Sequence, residues 1–121
     1  MSLTRSYAQD SWLLSEEGKT ILTVRETMEN DEILVALDGA LRSDMEHIFR
    51  DELVALMTVG KDVVLDCEKL TYIAGACQDA LLYVQHMADS IRRGTLTLRH
   101  VPEDIYAEFE RTNLHELLMI E

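Results

Sequence analysis

Two cysteines and four histidines are the residues of this 121-residue chain that most readily support catalysis. Cys77 comes early in a predicted helix, where a positive helix end can lower the pKa of a thiol and activate it as a nucleophile or redox sensor. Such a thiol needs a base, and His86 lies nine residues further along the helix, nearly half a turn away. The remaining histidines are distant in sequence: His47, His100 and His115. A small buried cysteine is therefore favoured over a reactive one.

The spacing of the potential metal ligands does not match a known type of site. The sequence contains no HExxH or CxxC pair and no glycine-rich phosphate loop. Most carboxylates fit solvated turns and helix faces, but Asp66 closes an apolar run that predicts a buried strand. We expect Asp66 to fix a loop by a hydrogen bond. No metal, cofactor or catalytic residue is expected, so the sequence predicts a protein that is not an enzyme.

The charge of the chain limits its partners. There are 23 acidic and 11 basic residues, giving a net charge of −12, which disfavours nucleic acid and anionic membranes. No segment approaches the roughly 20 apolar residues of a membrane span, and the N-terminus has no signal-peptide pattern. Cys67 and Cys77 lie inside apolar segments, which fits a reducing compartment. We expect a cytoplasmic protein without direct membrane insertion, and a basic protein partner remains open.

Hydrophobic periodicity predicts alternating strands and helices from Thr20 onward. Residues 1–19 show no sustained period and are predicted to be an N-terminal extension, with residues 20–121 forming one domain. The apolar runs predict four strands, at 20–28, 32–37, 62–67 and 95–101. The amphipathic stripes predict three helices, which begin near Ser43, Gly75 and Glu103. The last run, residues 115–120, fits either a closing strand or a continued helix.

The connections between these elements predict an α/β fold. Residues 29–31 carry turn chemistry and predict a hairpin between the first two strands. Strands that alternate with helices need crossover connections, which give a mixed, mostly parallel sheet with one antiparallel edge. We therefore expect four or five strands with about three helices. Residues 32–37 are continuously apolar, as in a strand covered on both faces.

The order of these elements and several motifs resemble the STAS domain, the module of bacterial anti-sigma factor antagonists and of the cytoplasmic tails of sulfate transporters. The motifs are "ILVALDGAL" at 33–41, "DVVLDCEKLTYI" at 62–73, "RRGTLTL" at 92–98 and "FERTNLHELLMI" at 109–120. The resemblance covers nearly the whole chain outside the predicted extension. It implies a STAS-like fold, that of the anti-sigma factor antagonists, and a regulatory function exerted by binding another protein.

The loop after the "DVVLDCEKLTYI" run departs from the family pattern. In the antagonists this loop reads Asp-Ser-(Ser/Ala)-Gly, and a partner kinase phosphorylates its first serine to release the partner. Alignment on the preceding Tyr-Ile pair places Ala74 at the aspartate, Gly75 at the phosphorylated serine and Cys77 at the glycine. Gly75 has no hydroxyl group, so the usual switch is not expected at this position. The nearest hydroxyl belongs to Thr71, which we expect to be held in the sheet.

The resemblance also predicts a partner-binding surface. Its residues would be Arg42, Ser43, Ala74, Gly75, Ala76, Cys77 and Gln78. The expected partner is an anti-sigma factor or a serine kinase-like protein. The alternative is a STAS subunit of a lipid or anion transport complex with a transporter subunit as partner, and a homodimer is also open. The small residues Ala74 and Ala76 equally fit tight packing of a helix on the sheet. An anion site at the start of the helix is a further alternative. So is a small-ligand sensor or an enzyme that uses Cys77.

Overall fold

The computed structural model describes residues 2–92 and 94–121. Within these residues, six strands form one sheet in chain order: β1 Thr4–Tyr7, β2 Ser11–Glu16, β3 Lys19–Glu29, β4 Glu32–Leu41, β5 Asp62–Ile73 and β6 Leu96–Arg99. The helices are α1 Glu46–Met57, α2 Gly75–Ile91 and α3 Glu103–Arg111, with short 3₁₀ turns at Ser43–Met45 and Leu114–Glu116. None of the described helices is long and apolar enough to cross a bilayer.

The sheet is mixed, as predicted. Strands β1 to β4 pair antiparallel, whereas β4, β5 and β6 pair parallel through the crossover helices α1 and α2. The α/β fold with three described helices is therefore confirmed. The described sheet has six strands rather than four or five, because it includes β1 and β2, which were not predicted. With these two strands, three antiparallel pairings outnumber two parallel ones.

The first 19 residues contribute those two additional strands. Trp12 and Leu14 of β2 are 5% and 1% exposed, and they lie opposite Val24 and Leu22 of β3. The sequence pattern missed them because β1 is mostly exposed, and because the apolar Leu13 on the outer face of β2 hides the alternation between its buried neighbours Trp12 and Leu14. The division of the chain at residue 19 stays a prediction, but the packing of these strands on β3 is a property of the structure.

The helices pack on one face of the sheet. In β4 the side chains of Ile33, Val35 and Leu37 are buried in the single core, whereas Leu34 and Ala36 on the opposite face are half-buried. The expectation that this strand is covered on both faces is therefore wrong. A continuously apolar run is typical of a strand covered on both faces. In β4, however, the apolar residues of the outer face, Leu34 and Ala36, are only half-buried.

The turns and the ends of the elements agree with the predictions at some positions and differ at others. The hairpin turn is confirmed at Asn30 and Asp31, whose φ angles of 50° and 65° give the left-handed pair of a tight turn. The α-helix predicted to begin near Ser43 begins at Glu46, because a 3₁₀ turn at Ser43–Met45 precedes it. Strand β5 continues beyond its predicted end to Ile73. The last residues form a 3₁₀ turn followed by a single bridge to β6 at Ile120.

Candidate functional site

The carboxyl ends of the parallel strands β4 and β5 meet at the predicted partner-binding loop. The two strands stay paired to their ends, although the register shifts after Ala36 and again after Gly39. Just beyond the last pair, the Ala74 amide donates a hydrogen bond to the Leu41 carbonyl oxygen at 2.8 Å. The Cys77 thiol donates to the Arg42 carbonyl oxygen across 3.4 Å. These bonds bring together the loop after β4 and the start of α2, which the resemblance predicted to form one surface.

Only part of the predicted residue set is accessible. The side chains of Ala74, Cys77 and Gln78 are buried, at 5%, 0% and 3% exposure. The Gln78 side-chain amide donates to the Ile73 carbonyl oxygen at 3.2 Å. These three side chains therefore support the loop from beneath and do not face a partner. The accessible members are Arg42, Ser43, Gly75 and Ala76, which we call the loop surface.

Gly75 is the first residue of α2, and its conformation does not require glycine. A Cβ atom built at this position would meet no atom within 4 Å, and φ does not lie in the left-handed region. Close packing of the helix on the sheet therefore explains the buried Ala74 but not Gly75. The first turn of α2 contains no acidic residue, since Asp79 lies beyond it.

Arg42 ties the loop to a neighbouring strand. Its guanidinium group lies 2.6 Å from the Asp44 carboxylate and 3.1 Å from the Glu16 carboxylate of β2. The hydrogen bonds to Asp44 and then to Glu16 raise the pKa of Arg42, and the same contact lowers the pKa of Asp44. Arg42 therefore stays charged, and its orientation depends on both carboxylates.

The environment of Cys77 argues against catalysis. Burial raises the pKa of the Cys77 thiol to about 11, and the nearby negative charges of Glu46 and Asp44 add to this effect. Burial, followed by the charge of Asp66, also raises the pKa of Cys67 to about 12. Both thiols remain protonated at neutral pH, so the structure gives no support to an enzyme or redox sensor that uses Cys77.

A second polar cluster lies on the outer face of the sheet, where the sequence suggested none. Asp66 accepts hydrogen bonds from the Glu68 amide at 3.1 Å and from His100 Nδ1 at 3.1 Å, as expected of a loop-fixing residue. Ligand atoms of Asp66, Glu68 and His100 lie within 4.8 Å of one another. The same concavity is lined by Asp38 as well as by Arg25 and Lys69, and the two positive charges offset most of the negative charge that a cation would need.

This outer cluster could not be found from sequence spacing, because it depends on the pairing of β5 with β6. Asp66 lies opposite Arg99 in that pairing, so the next residue, His100, turns towards the carboxylate. Thr71 is placed as expected, since its hydroxyl donates to the Gly39 carbonyl oxygen at 3.0 Å.

The architecture is that of the anti-sigma factor antagonists. A putative anti-sigma factor antagonist from Thermotoga maritima matches with a TM-score of 0.71 at 15% identity, covering 80% of this chain and 84% of that one. An anti-sigma factor antagonist from Mycobacterium paratuberculosis matches with 0.72 at 9% identity over 82% and 84% of the two chains. The phosphorylated Bacillus cell fate determinant SpoIIAA matches with 0.61 at 13% identity over 81% and 90%.

The sequence itself defines the family. The chain belongs to the STAS domain family, because the family model described as "Mlab, STAS domain" matches residues 24–121. No curated protein matches the sequence. The family match confirms the resemblance drawn from the motifs, while the similarity to the solved structures, at these low identities, concerns the fold.

Proposed function

We propose that this protein is a non-enzymatic regulatory STAS module that binds another protein through the loop surface. The proposal rests on one observation above the others: Gly75 occupies the exposed start of α2 in open space, although the fold would accept a side chain there. In the antagonists that the chain resembles, this position carries the phosphorylated serine. The expected partner is an anti-sigma factor or a serine kinase-like protein.

The same observation supports control by a route other than phosphorylation of this loop. Gly75 has no hydroxyl group, and the Thr71 hydroxyl is engaged with the Gly39 carbonyl oxygen in the sheet. Ser43 is the exposed hydroxyl of the loop surface, but it lies after β4 and not at the start of α2. We therefore infer a constitutive docking surface in a cytoplasmic protein.

Intact-mass spectrometry tests the absence of the switch. The protein is incubated with ATP and the serine kinases encoded in its own genome, beside a Gly75→Ser variant that restores the hydroxyl in the open space around residue 75. We expect no phosphate on the natural protein and a phosphate on the variant if a kinase of the antagonist type is present. A phosphate on Thr71 or Ser43 of the natural protein would show that the switch has moved.

Partner binding is tested with a variant that obstructs the loop surface. Gly75→Arg places a long charged side chain at the exposed start of α2, and Gly75→Ala is the matched control with a small one. Co-purification of the tagged protein from its own cells should yield a partner that Gly75→Arg loses and Gly75→Ala keeps. Equal recovery with both variants would reject this surface as the docking site.

A subunit of a lipid or anion transport complex is the second candidate. STAS modules also accompany lipid-trafficking ABC transporters and anion transporters, and the family model that matches this chain is named for Mlab rather than for an antagonist. The same co-purification discriminates the two candidates. An ATPase subunit among the proteins lost with Gly75→Arg would support a transport role, whereas a serine kinase-like protein would support the regulatory one.

A further inference from the structure

Tyr72 is an exposed aromatic residue beside the loop surface. It is the next-to-last residue of β5, and 55% of its area is exposed. Two shallow grooves share it as a wall. The first is lined by Glu16, Arg42, Ser43 and Asp44, and the second by Thr71, Ile73, Gly75, Gln78, Asp104, Ile105 and Glu108. Tyr72 therefore lies between two grooves. The first includes Ser43 of the loop surface, and the second includes Gly75.

Both grooves carry an excess of negative charge. In the first groove, the single guanidinium group of Arg42 is shared between the carboxylates of Glu16 and Asp44. In the second groove, Glu108 is paired with Arg111, while Asp104 forms no ion pair within the described residues. The Asp104 carboxylate accepts a hydrogen bond from the Ile105 backbone amide at 3.0 Å and has no cationic side chain beside it within the described residues. With two carboxylates for each guanidinium group, the groups on either side of Tyr72 carry a net charge of about −1.

We propose that the two grooves beside Tyr72 receive a basic segment of a protein partner, with arginine or lysine side chains on both sides of the ring. This inference rests on the proposed function and specifies the chemistry of the partner. A guanidinium or ammonium group in either groove meets a net negative charge, and the exposed ring adds a cation–π contact. Such rim charges steer association and select the partner.

The overall charge disfavours the other occupants of this surface. The chain carries a net charge of −12, so a second copy would bring more negative charge to grooves that are already acidic. Anionic lipid surfaces and nucleic acid are disfavoured for the same reason. A basic segment of a different protein is the occupant whose charge complements both grooves.

Backbone-amide NMR titration with a defined peptide tests the charge requirement. The probe is a helical peptide with arginines along one face, and its control is the same peptide with neutral citrulline in place of arginine. We expect the arginine peptide to shift the amides of Tyr72, Gly75, Ala76 and Asp104, and the citrulline peptide to bind more weakly. Equal binding of both peptides, or shifts confined to other surfaces, would overturn the inference.

A pair of neutral variants separates a local effect from the effect of the net charge. Asp44→Asn with Asp104→Asn removes one charge from each groove, and Glu29→Gln with Asp31→Asn removes the same number at the hairpin, at the opposite end of the sheet. The groove variant should bind the arginine peptide roughly threefold or more weakly, and the hairpin variant should not. Equal weakening in both variants would reject the grooves as the site.

The same groove variant distinguishes this inference from the proposed function. It is added to the co-purification experiment beside Gly75→Arg. Loss of the partner with both variants supports a basic partner segment. Loss with Gly75→Arg alone leaves the proposed function standing and rejects the basic segment, whereas retention with both variants rejects the loop surface itself.

Discussion

The guanidinium group of Arg42 lies 3.1 Å from the carboxylate of Glu16, so the loop after β4 is tied to the second strand. Glu16 lies within the first 19 residues of the chain, which the sequence pattern left without a predicted element. Strand β2 therefore contributes both to the core and to the position of the loop surface.

Removal of a buried side chain from β2 should destabilise the whole protein. Leu14 is 1% exposed and packs in the core, so Leu14→Ala should lower the free energy of unfolding by about 2–5 kcal/mol. Urea denaturation followed by Trp12 fluorescence measures this change. Leu13→Ala, at the half-buried neighbour on the other face, is the matched control and should cost less. Similar small effects of both changes would indicate an extension that is independent of the domain.

Gly75→Ala should make the protein more stable. The glycine begins a helix in a conformation open to other residues, so alanine should raise the free energy of unfolding by about 0.4–1 kcal/mol, chiefly by restricting the unfolded chain. Thermal or urea denaturation measures the gain. A loss of stability would mean that the fold does require glycine, which would remove the argument for a functional role.

Gly39→Ala, in strand β4, should make the protein less stable. Gly39 has a φ of 121°, and a Cβ atom there would overlap the backbone oxygen of Ile21. The backbone conformation alone should cost on the order of 1–3 kcal/mol, and the overlap adds to it. Urea denaturation of both glycine variants side by side should give changes of opposite sign. A neutral Gly39→Ala would contradict the close approach of β3 to β4.

The stability of the protein should fall between about pH 4.5 and pH 7 because of Glu26. Burial raises the pKa of this carboxyl group from 4.5 to about 7; a hydrogen bond with Glu52 acts in the same direction, and one from Trp12 opposes it. In the unfolded chain Glu26 ionises first, so the unfolded state gains stability as the pH rises through this range. Above about pH 7 both states are ionised and the loss is complete.

Glu26→Gln tests this pH dependence. Glutamine keeps an oxygen that can accept the hydrogen bond from the Trp12 indole, which lies 3.0 Å from the carboxylate, and it does not titrate. The variant should be more stable than the natural protein at pH 8, and its stability should vary less between pH 5 and pH 7. Denaturant titrations at several pH values check both points. An unchanged slope would assign the pH dependence to other groups.

Neither cysteine should react quickly in the folded protein. Burial raises the pKa of Cys77 to about 11 and that of Cys67 to about 12, which leaves little thiolate at neutral pH. A chromogenic disulfide reagent should therefore label the native protein slowly and both thiols rapidly in denaturant. Rapid labelling of one thiol in the native protein would revive the hypothesis of a reactive Cys77.

Several features could be predicted because their signals are local. The turn at Asn30 and Asp31 follows from residues that accept positive φ, and the helices follow from apolar stripes with helical spacing. The lack of a hydroxyl group at residue 75 can be read directly from the sequence, whereas the correspondence of this residue to the phosphorylated serine of the antagonists stays a prediction. Strands β1 and β2 had no such signal, since β1 is mostly exposed and the run Trp12, Leu13, Leu14 in β2 is continuously apolar over a short stretch.

The sequence by itself determined the alternation of elements, the STAS family and the missing hydroxyl at residue 75. Only the tertiary structure decided which predicted site residues are accessible, because burial of Ala74, Cys77 and Gln78 depends on α2 packing against the ends of β4 and β5. The same holds for the ion pair of Arg42 with Glu16 and for the acidic grooves beside Tyr72. Periodicity records which face of an element is buried, whereas contacts between distant segments are fixed by strand pairing and register, which leave no local pattern.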